Sequence, residues 1–181
     1  GGLATAEGSP TCNAPLAEGK GWMYEGGTRE PLLVKWPGVT TAGSTCTTPV
    51  TSPDFFPTLL EMAEQAVPAQ LALEGVSFAE LLRGAADLSR EAIFWHYPHY
   101  GNQGGTPGSS VRAGDYKLIE FFEDGRLELY NLRTDIAEEI NLATDEPTVA
   151  QRLHQLLISW RETVAARIPQ PNPTHSYPHG R

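Results

Sequence analysis

The chain has 181 residues and a formal net charge of −9, from 13 Lys and Arg against 22 Asp and Glu. A nucleic-acid binder needs a basic footprint that releases counterions from phosphates, and anionic membranes attract polybasic segments; this acidic chain carries neither signal. Hydrophobic residues at 40% and charged residues at 19% exclude a disordered composition, and a chain of this length can bury roughly 70% of its unfolded surface.

In chain order, residues 1–30 are rich in small residues and glycines, with Pro10 and Pro15 and no sustained period, and read as loop. Pro31 to Trp36 (PLLVKW) predicts a short buried strand ended by Pro37-Gly38, and the Thr-rich residues 39–51 a second extended piece. Ser52-Pro53-Asp54 is a helix-start signature, with a hydroxyl cap followed by an early proline and an acid. The helix it opens carries Phe55, Phe56, Leu59, Leu60 and Met62 on one apolar face, and Pro57 predicts a 3₁₀ or irregular first turn. After a loop at 66–75, VSFAELLRG predicts a short helix closed by Gly84.

AIFWHY (92–97) predicts a strand and YGNQGGTPGSS a flexible loop. Val111 to Leu132 predicts a hairpin, YKLIEFF and RLELYNL around Glu123-Asp124-Gly125. Val149, Leu153, Leu156, Trp160 and Val164 recur at helical spacing, so this last helix should cover one face of the hairpin's sheet. The tail PQPNPTHSYPHGR is Pro-rich, and its His175 and His179 carry no pattern. The order of elements predicts the end of an α/β layer followed by a small α+β subdomain: residues 1–90, 91–168 and a tail at 169–181.

Lys20 stands between Gly19 and Gly21. Two readings stay open: a surface lysine in a turn, or an ammonium brought to an anion by glycines that let the backbone come close. A nucleotide loop is excluded, because Gly21 follows the lysine where Ser or Thr is required. Arg29 and Glu25 read as a structural pair holding the Gly26-Gly27 turn. His96 and His99 in FWHYPHY are three apart, and on a strand such residues face opposite sides, which argues against a metal site. The same segment, running into a Gly-rich loop, suits either a pocket rim or core packing of Phe94, Trp95 and Tyr97. Cys12 and Cys46 form no zinc pattern; a disulfide and two free buried thiols are both open. No G-x-S-x-G, H-E-x-x-H or EF-hand pattern occurs, and no run approaches the roughly 20 apolar residues of a membrane span. The opening GGLATAEGSP has no Met and no charged n-region and reads as an internal start.

Taken in order, GKGWMYEGGTREPLLVKWPG, SPDFFPTLLEMA, LEGVSFAELLRG, AIFWHYPHY, SSVRAGDYKLIEF and LELYNLRTDIAEEINLA resemble the C-terminal part of a type I sulfatase. This is the formylglycine-dependent, alkaline-phosphatase-like superfamily. The resemblance covers residues 1 to about 168. It implies the end of an alkaline-phosphatase-like α/β domain followed by a small antiparallel-sheet subdomain with a packed C-terminal helix. Lys20 then matches the family's late active-site lysine, which contacts the sulfate group of the substrate. His96, His99 and Tyr100, near the start of the subdomain, are the candidate substrate-binding residues. The resemblance implies calcium and a C/S-x-P-x-R nucleophile motif in the parent enzyme, but Cys12 and Cys46 do not fit that motif and the calcium carboxylates are not matched here. This chain alone is therefore expected to hold no metal, to need the upstream part of the same enzyme and to be inactive. The implied partner is a sulfated small molecule or glycan, and the implied location periplasmic or extracellular. A non-catalytic carbohydrate- or protein-binding module is the alternative, and a phosphatase or phosphonate hydrolase of the same superfold a further one.

Overall fold

The computed structural model describes residues 2–6, 8–170 and 172, so His175 and His179 and most of the Pro-rich tail lie outside the described residues. The chain divides into two compact units, Gly1–Glu30 with Phe94–Arg181, and Pro31–Ile93. The first thirty residues, placed with 31–90 by the sequence, thus fold with the C-terminal sheet instead, and for a physical reason: Met23 and its neighbours fill that sheet's apolar face.

The first unit is built on a four-stranded sheet in the order β1-β2-β3-β4: Ile93–Tyr97, Gly108–Ala113, Tyr116–Phe121 and Leu127–Asn131. β2, β3 and β4 are antiparallel, and their register sets Val111, Leu118 and Leu129 in one row, all fully buried. Helix α4 (Pro147–Thr163) packs on β2 and β3 through Leu153 and Leu157. Pro147 starts it, because its missing N–H costs nothing in a first turn. Its buried stripe is Ala150, Leu153, Leu157 and Arg161, shifted from the predicted one; Trp160 instead stacks on Phe94 at 4.8 Å, and Val164 lies beyond the helix end. Arg161 ends the stripe on Glu120 at 2.7 Å, with His154 at 3.2 Å from the same carboxylate. Each fully buried leucine contributes about 1.5–3 kcal/mol, so the four buried leucines of this layer carry much of the unit's stability.

On the opposite face Ile119, Phe121, Tyr130 and Leu132 meet Met23, with Tyr24, Trp95 and Ile136 at the margin. Strand alternation makes this division: Leu118 and Glu120 face α4, whereas Lys117, Ile119 and Phe121 face the segment around Met23. That segment ends in a single helical turn, α1 (Glu25–Thr28).

In the second unit the predicted strand at 31–36 does not form. A strand needs a ladder partner, none is present among the described residues, and Leu33 is 96% exposed. Residues 39–51 form no strand either. The predicted helix start is real, but its cap is Thr51, one residue before Ser52, in a reciprocal capping box with Asp54. The turn Ser52–Asp54 is 3₁₀ and runs into α2 (Phe55–Met62). Asp54 is fully buried, and its carboxylate accepts from the Thr51 and Val76 amides and from Arg90. Helix α3 (Ala79–Leu82) follows, with Phe78 buried edge-on to Phe55 at 5.4 Å. The α2 face predicted to be core, by contrast, leaves Phe55, Phe56 and Leu59 exposed within this chain.

Candidate functional site

Lys20 lies at an exposed point of a loop whose backbone is pinned on several sides. Its own amide donates to the Leu3 carbonyl at 3.1 Å, the Trp22 amide to Gly19 at 3.0 Å, and the Gly26 amide to Ala17 at 2.8 Å. Asn13 ties the same loop from below, donating to both Leu3 and Glu18 at 3.0 Å. The flanking glycines serve the loop's own packing. A Cβ at Gly19 would fall 2.4 Å from the Leu3 oxygen, and Gly21 sits at φ +93, where other residues are strained. The result is an exposed ammonium on a loop pinned by backbone hydrogen bonds.

The Gly-rich loop at 101–105 comes to this lysine loop from the far side of the sequence. A Cβ on Gly105 would lie 2.2 Å from the Gly21 oxygen, and one on Gly104 would lie 2.5 Å from the Trp22 indole nitrogen. Gln103 approaches Gly21 as well. Sequence reasoning had marked both loops but not their meeting, and had missed Trp22; the one available signal was the density of glycine in GNQGG.

The three candidate substrate-binding residues separate. His99 and Tyr100 are exposed on the approach to the Gly-rich loop, His99 edge-on to Tyr97 at 5.3 Å and the Tyr100 hydroxyl donating to Glu123 at 2.6 Å. His96 turns to the α4 face of β1. There its Nδ1 meets the Ser109 hydroxyl at 2.7 Å and its Nε2 the Arg167 carbonyl at 2.9 Å, with Phe122 against the ring. Both of its nitrogens are therefore engaged inside the chain.

Behind the lysine loop the site is strongly electrostatic. The predicted Glu25–Arg29 pair is present at 3.5 Å, but Glu25 is also buried against Lys117 at 3.0 Å. Glu138 lies 3.0 Å from the same ammonium; burial pushes its carboxyl above the ordinary range, against the pull of Lys117. Further along the same face, the phenols of Tyr24 and Tyr130 both donate to Glu128, at 2.7 and 2.8 Å. Burial first, and then these bonds to a carboxylate, raise both phenols well above their usual pKa, so they act as fixed donors.

Among the described residues no three His, Cys, Asp or Glu side chains converge as a metal site would require. The described residues do not fit calcium, which takes about six to eight oxygen ligands. Cys12 and Cys46 are both unpaired and exposed, so neither the disulfide nor the buried-thiol expectation holds. Among the described residues no helix is long and apolar enough to cross a membrane.

A family model described as N-sulphoglucosamine sulphohydrolase, C-terminal, matches residues 18–163. The chain belongs to this sulfatase family. The match opens two residues before Lys20 and closes on the last residue of α4, so it contains both loops of the site and the sheet beneath them. A sulfatase of Formosa agariphila is 38% identical over 166 residues, covering 83% of this chain and 30% of that protein. Human arylsulfatase A is 34% identical over 172 residues, covering 80% of this chain and 33% of that protein. Among solved structures, one in complex with its substrate D-glucosamine-2-N,6-O-disulfate superposes with a TM-score of 0.63 at 27% identity, over 75% of this chain and 28% of that one. The chain thus spans about a third of the length of these relatives. Of the fold expected from the resemblance, the antiparallel sheet with its packed C-terminal helix is found, whereas the strand expected before it does not form among the described residues.

Proposed function

We propose that this chain supplies the sulfate-facing lysine and the C-terminal wall of the active site of a sulfatase that hydrolyses sulfate esters of carbohydrates. The observation that carries the proposal is Lys20: an exposed ammonium on a loop fixed by backbone hydrogen bonds, at the start of the family match. A cation held there against the non-bridging oxygens of a sulfate group lowers the cost of the charge that builds up as the ester bond breaks. His99 and Tyr100, exposed beside the Gly-rich loop that meets the lysine loop, are proposed to contact the sugar. His96 is proposed to support them by holding β1 to β2 and to the segment that follows α4. A carbohydrate substrate is favoured by the glucosamine disulfate bound in the similar solved structure. The nucleophile and calcium are assigned to the remainder of the same enzyme, and its location is proposed to be periplasmic or extracellular.

The test is hydrolysis of 4-nitrophenyl sulfate by the complete enzyme that carries this chain. Lys20→Ala should lower kcat by about 10²–10³, while the chain's unfolding free energy stays within about 0.5 kcal/mol of the parent's because the side chain is exposed. Unchanged kcat/KM in Lys20→Ala overturns the assignment. Retained binding of sulfated glycans with no hydrolysis by the complete protein favours a binding module.

A further inference from the structure

Lys117 poses a question that the proposed reaction does not answer. It lies in the middle strand of the three antiparallel ones, on the face whose next members are Ile119 and Phe121, and it is 0% exposed. Lysine is almost never fully buried unless paired, and a buried ion set of this kind is often no more stabilising than apolar residues of the same volume. An apolar residue at this position would have extended the core; what the lysine offers in its place is fixed geometry.

The geometry converges on α1. Glu138 lies 3.0 Å from the Lys117 ammonium with one carboxylate oxygen, and with the other accepts the backbone N–H of Glu25, the first residue of α1, at 2.5 Å. The Glu25 side chain lies on the same ammonium at 3.0 Å, with Arg112 and Arg29 at 3.6 and 3.5 Å from its second oxygen. Thr28, the last residue of α1, places its hydroxyl 3.5 Å from Lys117. A single helical turn is thus held at its first amide, its first side chain and its last side chain. Glu138 is itself held in place: it sits at φ +54, a left-handed conformation costly for a residue with a side chain, in a turn whose next two amides bond to Asp135.

From α1 the constraint passes to Lys20 through backbone alone. The Gly26 amide bonds to Ala17, and a Cβ on Gly26 would fall 2.2 Å from the Ala17 oxygen and 2.3 Å from the Glu18 oxygen, so the two backbones are in direct contact. Lys20 lies two residues beyond Glu18. Between α1 and the backbone of the Lys20 loop no side chain intervenes to absorb a displacement.

We infer that Lys117, Glu138 and Glu25 form a positioning device that seats the Lys20 loop on the sheet. That it serves catalysis rests on Lys20 facing the sulfate, but the seating itself can be tested without a substrate. The experiment is amide hydrogen exchange on the 181-residue chain and on Lys117→Met, Glu138→Ala and Glu138→Gln. In Lys117→Met and Glu138→Ala, exchange at the Lys20 and Gly26 amides should rise at least tenfold while that at Leu157 in α4 holds. Glu138→Gln, which keeps an acceptor for the Glu25 amide, should recover part of the loss. Parallel rises at Leu157, unchanged exchange at Lys20 and Gly26, or failure of both Lys117→Met and Glu138→Gln to fold would each overturn the inference, since the network would then hold the whole sheet or nothing in particular. If the exchange result stands and Lys20→Ala remains active, only the role of Lys20 fails.

Discussion

Gly105→Ala is the substitution that separates the two halves of the proposed site. The new Cβ would fall 2.2 Å from the Gly21 oxygen, a backbone atom, and 3.4 Å from the Trp22 Cα. Since real Cβ atoms essentially never come within 3.0 Å of such an atom, the loop at 101–105 or the lysine loop must retreat by about 0.8 Å at the least. Gly105 also sits at φ +75, so alanine is strained there whatever the space. The two costs can be told apart with Gly125→Ala, because Gly125 has nearly the same φ, +71, and nothing within 4 Å of its Cβ position. Both variants carry the strain, roughly 1 kcal/mol. Only Gly105→Ala carries the overpacking, typically about 1–3 kcal/mol. With a urea slope of about 2 kcal/mol per molar, the middle of the usual range, its midpoint should fall below that of Gly125→Ala by roughly 0.5–1.5 M. Trp22 lies at the contact, so its fluorescence should shift in the folded state of Gly105→Ala and not of Gly125→Ala. Equal midpoints and an unchanged Trp22 signal would mean that the two loops do not meet as described.

Two further outcomes follow from the packing and the buried carboxylate. Leu157→Ala, at a fully buried position between α4 and the sheet, should cost about 2–5 kcal/mol in urea unfolding, whereas Leu156→Ala, one residue away and only half-buried, should cost under about 1.5 kcal/mol. Similar losses would mean that α4 is rotated from its described face. Burial works to raise the Asp54 pKa, but hydrogen bonds from Arg90, Val76 and Thr51 outweigh it, and the carboxyl titrates below the ordinary 3.8. A depressed carboxylate contributes stability that is present in full above pH 3.8 and is lost as the pH falls through the folded value. Asp54→Asn should therefore be less stable than the parent at neutral pH, by about 1.5–3 kcal/mol for a charge-assisted bond, with the gap closing below pH 3.8. Trp36 fluorescence reports on this unit. A gap that persists at low pH refutes the ion pair.

What the sequence made legible divides along the range of the interactions. The β3–β4 hairpin around Glu123-Asp124-Gly125, the strand at 93–97, the helix opened near Ser52 and the long C-terminal helix all rest on local pattern and formed, while the helix expected from Val76 shortened to Ala79–Leu82. PLLVKW carries an equally good strand pattern, but no neighbouring strand pairs with it among the described residues, and the pattern stayed unexpressed. The family emerged because many local segments occurred in the right order, which is also information that survives without any contact. His96, close to His99 and Tyr100 in the sequence, shows the opposite limit. Its proximity in sequence is real, but strand alternation sends it to the α4 face, where Ser109 and Arg167 occupy its ring.

Lys117 and Lys35 show how far this goes. Each is a lysine in a short β-like run, YKLIEF and PLLVKW, and each run is predicted as strand. Lys35 is exposed. Lys117 is fully buried, because one of its carboxylate partners arrives from a turn at Glu138 and the other from Glu25, 92 residues back. Nothing within reach of a local window distinguishes the two. The distinction is topological: β3 has a strand on either side and the Met23–Glu25 segment over its face, so a charge there must find its countercharges inside the protein or leave the fold unstable. That necessity is also what makes Lys117 informative. A surface lysine can be lost with little consequence, whereas a buried one marks the place where the fold needed two distant backbones held at one distance.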